Sequence, residues 1–319
     1  MKKIIVLFIS VLLISIELHA SSLTDSTFIE KKITLKTKTG KIYGTLMTPK
    51  KFSNIPVALI IAGSGPTDRD GNNAVMKNDG LKKLAYGLCK NGIASLRFDK
   101  RGIGESKDAM KSEADIRFDN YIDDAQEWIK LLKSDKRFSK VVVIGHSEGS
   151  LIGMIAAQTN ADLYVSIAGA GRPADEILKE QLSTQPESIK EASEIIIDSL
   201  KAGYTVKKVS AVLLSLFRPS IQPYLISWFK YDPAKEISKL KIPVLIIQGD
   251  ADIQITTEDS DVLYKASKAS KLVVIENMNH IFRIVEGGRE ENIKTYYDAS
   301  LPIAGEMVKS ISEFIINGK

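Results

Sequence analysis

The stretch Gly145-His146-Ser147-Glu148-Gly149 fits the pattern G-x-S-x-G, in which a serine stands on a sharp turn between a strand and a helix. A serine hydroxyl is a weak nucleophile at neutral pH. It needs a general base within hydrogen-bond reach, and that base must be oriented by a third group. Histidine suits the role because its ordinary pKa lies near neutrality. The chain holds three histidines: His19, His146 and His280. His19 falls in an N-terminal apolar leader, and His146, adjacent to Ser147, is expected to point away from it, which leaves His280 as the base. Two aspartates, Asp250 and Asp252, follow an apolar strand lying between the serine and His280 in the chain, and either could orient the imidazole. Acyl transfer also needs donors for a developing oxyanion. The backbone amide of Glu148, next after the serine, is one. The second is expected from Gly63-Ser64-Gly65, with the amide of Ser64 preferred over that of Gly65.

Such residues can only meet if strands and helices bring them to one edge. Residues 141–144, Val-Val-Val-Ile, form an apolar β-branched run that reads as a strand buried on both faces. Beyond the turn, Leu151, Ile152, Met154 and Ile155 suit a buried helix. Before it, strands are expected at 28–35, 41–47, 56–62 and 93–98, with helices at 81–89 and 121–132. After it come strands at 163–167, 242–247 and 271–275 and a closing helix at 303–316. Alternation at this spacing predicts a mostly parallel, doubly wound sheet whose site lies at the carboxyl ends of the strands. From 172 to 236 the strand pattern gives way to helical segments, read as a cap inserted into a core of 23–171 and 237–319. Trp228 and Phe229, in an apolar part of this insertion, are expected to line a substrate pocket.

Composition narrows the partners. The chain has 319 residues, of which 44% are hydrophobic and 26% charged, with a formal net charge of +5. No basic stripe interleaved with aromatics appears, so nucleic acid is not expected as a partner. Cys89 is the sole cysteine, which excludes an intrachain disulfide. The segment GDADIQITTEDSD faintly resembles a calcium loop, but Ile255 stands where that loop requires glycine, so no metal is expected there. No G-x-G-x-x-G follows a strand, and no cofactor is expected. Residues 1–20, with Lys2, Lys3 and an apolar run, read as a secretory signal peptide cleaved near 20–22. That implies a secreted or periplasmic protein with no stable membrane span after cleavage.

Taken together, GSGPTDRDGN at 63–72, FDKRGIGES at 98–106, GHSEGS at 145–150, PSIQPYLISWFKYDP at 219–233, QGDADIQI at 248–255 and MNH at 278–280 resemble the α/β-hydrolase superfamily. More narrowly, it resembles the EstD-like bacterial esterases, often grouped with serine aminopeptidase-like hydrolases. The resemblance implies Ser147 as nucleophile, Asp252 as acid and His280 as base, with an amide of the Ser64 loop in the oxyanion hole. It implies hydrolysis of small carboxylic esters without a cofactor. A thioesterase or an amidase could use the same triad, and a hydrolase-fold binding protein would lack part of it. The cap shows no clear acidic constellation for a substrate amino terminus, which speaks against aminopeptidase activity.

Overall fold

The computed structural model describes residues 27–318; the expected signal peptide lies outside the described residues. Eight strands form one sheet: β1 (Phe28–Lys36), β2 (Lys41–Pro49), β3 (Ile55–Ile61), β4 (Ala94–Phe98), β5 (Phe138–His146), β6 (Leu163–Ile167), β7 (Val244–Gly249) and β8 (Ser270–Ile275). Their spatial order is β1-β2-β4-β3-β5-β6-β7-β8. The hairpin β1–β2 pairs antiparallel to itself and to β4, and every pairing from β4 to β8 is parallel. Thr37 N donates to Gly40 O at 2.8 Å to close the hairpin turn.

The centre of the sheet follows from its apolar runs. Val57, Leu59 and Ile61 of β3 and Val141 and Val143 of β5 face one side, while Ala58, Ile60, Val142 and Ile144 face the other. Period-two side-chain alternation in strands apolar at every position covers both faces, so both must be roofed by helices. On one face lie α2 (Phe118–Ser134) and α3 (Glu148–Asn160); on the other, α1 (Gly80–Lys90) and α11 (Gly305–Asn317). Helix α2 buries Phe118, Ile122, Ala125, Trp128, Ile129 and Leu132, a stripe at three- and four-residue spacing. Helix α11 buries Met307, Ile311, Phe314 and Ile315 in the same manner.

Between β6 and β7 the chain carries no strand. It holds α4 (Ala174–Leu182), α5 (Glu187–Lys201), α6 (Leu214–Phe217), α7 (Gln222–Trp228) and α8 (Pro233–Ser238). Two helices were not expected from the sequence: α9 (Thr257–Ala266), between β7 and β8, and the short α10 (Arg289–Lys294). The buried residues of α9 are Asp259, Ser260 and Leu263. Its inward face is therefore mostly polar, and hydrophobic periodicity does not mark it. Asp259 accepts from Gly171 N at 3.0 Å and from Arg172 Nη2 at 2.8 Å, so this polar face anchors the chain as it enters the helical insertion.

The sharpest steric constraint lies where β5 runs into α3. A Cβ at Gly145 would overlap the carbonyl of Gly149, and one at Gly149 would fall 2.6 Å from Ala62 O, on the chain leaving β3. Gly305, at the start of α11, meets nothing within 4 Å. Gly145→Ala is therefore expected to lower the melting temperature sharply or abolish soluble expression, as forced overpacking of a core does. Gly305→Ala should be neutral or stabilising, by up to about 1 kcal/mol through the unfolded chain. Thermal unfolding of the two variants side by side checks the pair.

Candidate active site

Ser147 occupies the turn between β5 and α3 at φ 55°, ψ −122°, a conformation that non-glycine residues rarely adopt. It is held there from both sides. Its amide donates to Ile167 O of β6 at 3.0 Å, and the flanking glycines let α3 press onto β3 and β5. Ser150, one turn on, shares hydrogen bonds with Tyr164 Oη at 2.8 Å and Ser166 Oγ at 2.7 Å, fastening α3 to β6. The result is a serine side chain at the carboxyl end of the central strand, on the wall of two cavities.

The loops after β7 and β8 bring Asp252 and His280 together. Asp252 Oδ2 accepts from His280 Nδ1 at 2.7 Å, with both side chains buried. Its Oδ1 accepts from the amides of Gln254 at 2.7 Å and Ile255 at 3.0 Å. Burial opposes the charge on Asp252, but His280 and these amides outweigh it, so its pKa lies below the ordinary aspartate value. Asp250 points elsewhere: its Oδ1 accepts from Asn277 N at 2.6 Å and so closes the turn between the two loops. With Nδ1 carrying the proton towards Asp252, His280 Nε2 is left as the acceptor in the neutral ring. His280 and Ser147 line the same 260 Å³ cavity, and Ser147 Oγ makes no hydrogen bond among the described residues.

The His280 loop is rigid for identifiable reasons. Asn279, 1% exposed, accepts from the amides of Ile281 and Arg283 and donates to Asn292 Oδ1 at 3.0 Å and Thr295 Oγ1 at 2.8 Å. The unexpected helix α10 thus braces the His280 loop. His146 also takes part. Its Nε2 donates to the carbonyl of His280 at 2.9 Å, and its ring lies 4.8 Å from the rings of His280 and Phe282. Burial, with His280 adding to it, pushes the His146 pKa down to about 3, so the ring stays neutral and keeps this donor at working pH.

The glycine-rich loop after β3 is set by charges that the sequence does not show to be buried. Lys100, 2% exposed, donates from Nζ to Gly63 O at 2.6 Å and to Glu148 Oε2 at 2.8 Å. Tyr224 of α7 donates its hydroxyl to Glu148 Oε1. One buried ion pair therefore joins the Gly63-Ser64-Gly65 loop, the first residue of α3 and the helical insertion. A second pair fixes the outer part of that loop: Arg69 Nη2 donates to Asp99 Oδ2 at 2.7 Å, and the Arg69 amide to Asp99 Oδ1 at 2.8 Å. The polar segments 63–72 and 98–106 are thus bound to each other, which accounts for their charge. Ser64 is exposed and lines both cavities.

The second cavity, 350 Å³, extends from Ser147 and Glu148 under the helical insertion. Its walls include Leu151, Ile177, Leu216, Phe217, Leu225 and Trp228, and its volume suits a small organic ligand. Trp228 stacks on Phe118 with ring centres 5.8 Å apart. Phe229, expected beside it, does not line the cavity. It is 1% exposed and packed in the core, because a residue one step past the end of α7 turns to a different face from Trp228. The two cavities meet at Ser64, Gly65, Pro66, Ser147 and Gln254.

Comparison with known proteins agrees with this architecture. Residues 78–211 match the family described as serine aminopeptidase, S33. Over 277 residues the chain is 32% identical to esterase EstD of Thermotoga maritima, an alignment that covers 82% of this chain and 62% of that protein's length. Among solved structures, Est1E of Butyrivibrio proteoclasticus with bound ferulic acid superposes with a TM-score of 0.61 at 17% identity, covering 90% of this chain and 98% of that one. The Pyrococcus furiosus esterase Pf2001 gives 0.57 at 15% identity, covering 92% and 94%.

The Lys100–Glu148 pair makes the site's framework testable. Lys100→Met strands a buried carboxylate and is expected to cost about 3–5 kcal/mol of unfolding free energy. Adding Glu148→Gln should recover part of that loss, leaving the double variant more stable than the sum of the singles. Denaturant titration of all four proteins measures the coupling. Strictly additive losses would show that the two groups do not act as a pair.

Proposed function

We propose that this chain, which has the fold of the α/β hydrolases and is 32% identical over 277 residues to an esterase, is a serine hydrolase cleaving carboxylic esters through an acyl-enzyme on Ser147. The observation that carries this reading is the buried Asp252–His280 hydrogen bond at 2.7 Å, opening onto the same cavity as a serine held in a strained turn. In this mechanism His280 Nε2 takes the proton of Ser147 Oγ as it attacks the ester carbonyl. Asp252 holds the ring in the required tautomer and stabilises the imidazolium that forms. The amides of Glu148 and Ser64 receive the oxyanion. The imidazolium then protonates the departing alcohol, and water activated by His280 releases the acid and restores Ser147.

The walls of the two cavities suggest how an ester lies. His280 delivers the proton to the alcohol, so the alcohol belongs on the 260 Å³ side, where Asn73, Asn78 and Tyr296 supply polar groups. The acyl chain then occupies the apolar 350 Å³ cavity, with Trp228 as one wall. Glu148 is the only carboxylate among the described residues of either cavity wall, and Lys100 and Tyr224 already occupy it. Nothing there can balance a substrate ammonium group, which supports an ester over a peptide amino terminus. The helical insertion, 172–236, acts as the cap. A signal peptide over 1–20 would place the enzyme in the periplasm or outside the cell. No helix among the described residues is long and apolar enough to cross a membrane.

A series of p-nitrophenyl esters of increasing chain length, read against Ser147→Ala as blank, tests the activity. Within it, Asp252→Asn should lower kcat by several orders of magnitude. Replacing the triad aspartate of a serine protease in this way costs roughly 10⁴. Asp250→Asn, which touches only the turn at Asn277, should lose about tenfold or less, well short of that scale. The reverse ranking, in variants of matched melting temperature, would move the orienting role to Asp250.

A further inference from the structure

Within the helical insertion, one face is apolar and open to water. Residues 211–217 form a 3₁₀ turn, Ala211–Leu213, followed directly by α6, and their sequence Ala-Val-Leu-Leu-Ser-Leu-Phe is apolar almost all round. A helix of that composition is normally buried on every side. Here only Leu213 and Phe217, four apart, turn inward. Val212 and Leu216, likewise four apart, stand 64% and 40% exposed, Leu214 is 42% exposed, and Tyr204 just upstream 72%. Leu216 and Ser215 also line the 350 Å³ cavity, so the open face is continuous with the apolar pocket.

Along the chain, the charge of this stretch has one sign. From 202 to 221 there is no aspartate or glutamate, whereas Lys207 and Lys208 are both exposed. Arg218, the other cation of the stretch, is held by Glu113. We propose that the face formed by Tyr204, Val212, Leu214 and Leu216 docks on an anionic phospholipid surface. The apolar side chains enter the boundary between headgroups and acyl chains while Lys207 and Lys208 reach the phosphates. Resting on the esterase reading above, the substrate class is then acyl esters carried in a lipid layer. Such a molecule passes Leu216 into the acyl cavity without its chain crossing water, a path that the contiguity of face and pocket provides.

The test reads the face locally. Val212→Cys, labelled with an environment-sensitive fluorophore in the Ser147→Ala protein, is titrated with vesicles of phosphatidylglycerol and phosphatidylcholine, and with phosphatidylcholine alone. A label at Lys268→Cys, exposed just before β8 at the opposite edge of the sheet, serves as reference. The expected result is a saturable blue shift at 212 with anionic vesicles only, absent at 268. Lys207→Gln/Lys208→Gln should weaken it roughly thirtyfold. No shift at 212, an equal shift at both labels, or a shift indifferent to lipid charge would overturn the proposal. So would a dimer in sedimentation velocity, without lipid, that Val212→Asp/Leu214→Asp disperses, since the face would then belong to a second copy.

Hydrolysis separates the two readings. Val212→Asp/Leu214→Asp, whose side chains are outside the cavity lining, should slow cleavage of an ester embedded in anionic vesicles and leave cleavage of a water-soluble acetate ester unchanged. Equal rates for variant and wild type on the embedded ester would refute the lipid-borne substrate. Failure of the wild type on every ester would instead sink the esterase reading and the substrate class with it, while the fluorescence result would still decide whether the face docks.

Discussion

Ser147 is held in a backbone conformation that its own side chain disfavours, and much of the architecture can be understood as what keeps it there. The turn exists only because Gly145 and Gly149 let α3 close onto the carbonyls at the end of β3 and onto β5. That closeness needs β3, β5 and β6 to be neighbours in register, which the parallel pairing of apolar strands secures. A serine so placed projects beyond the sheet edge. There the loops from β3, β7 and β8 converge, each with its own anchor: Lys100 for the first, the turn at Asp250 for the second, Asn279 for the third.

The buried Lys100–Glu148 pair extends this order into the helical insertion. Isolated charges are costly to bury, and a pair repays the cost only when its remaining hydrogen-bonding capacity is filled. Gly63 O takes part of the donor capacity of Lys100, and Tyr224 supplies a donor to Glu148. The geometry of the glycine loop, the start of α3 and the insertion are therefore set together. The pair occupies the one carboxylate that the described residues place on the two cavity walls, and the wall cations Arg172 and Arg218 are paired with Asp259 and Glu113, so the space towards the insertion is largely apolar. That environment suits an uncharged ligand group.

How much of this can be read in the sequence depends on whether burial has a periodic signature. The run Val141–Ile144 with its glycine-flanked serine announces strand, turn and helix, because apolar residues at every position admit few other readings. Strand β6 falls at its expected bounds, 163–167, for the same reason. Helix α9 escapes because its inward face is largely polar. Lys100 escapes because a lysine between Asp99 and Arg101 reads as a solvated charge run, and only the fold reveals its counter-charge 48 residues away. Spacing alone leaves Asp250 and Asp252 equivalent; what separates them is that one meets the Asn277 amide and the other the imidazole. Trp228 and Phe229 are adjacent, so their shared apolar character cannot tell which one faces the cavity.

Every step of the proposed reaction passes through covalent chemistry at one atom, Ser147 Oγ. Intact-mass analysis after incubation with a fluorophosphonate, followed by peptide mapping, reads it directly. We expect one adduct per chain, located on Ser147, with none on the Ser147→Ala protein. An adduct on another residue, or labelling undiminished in Ser147→Ala, would contradict the assignment of Ser147 as the nucleophile.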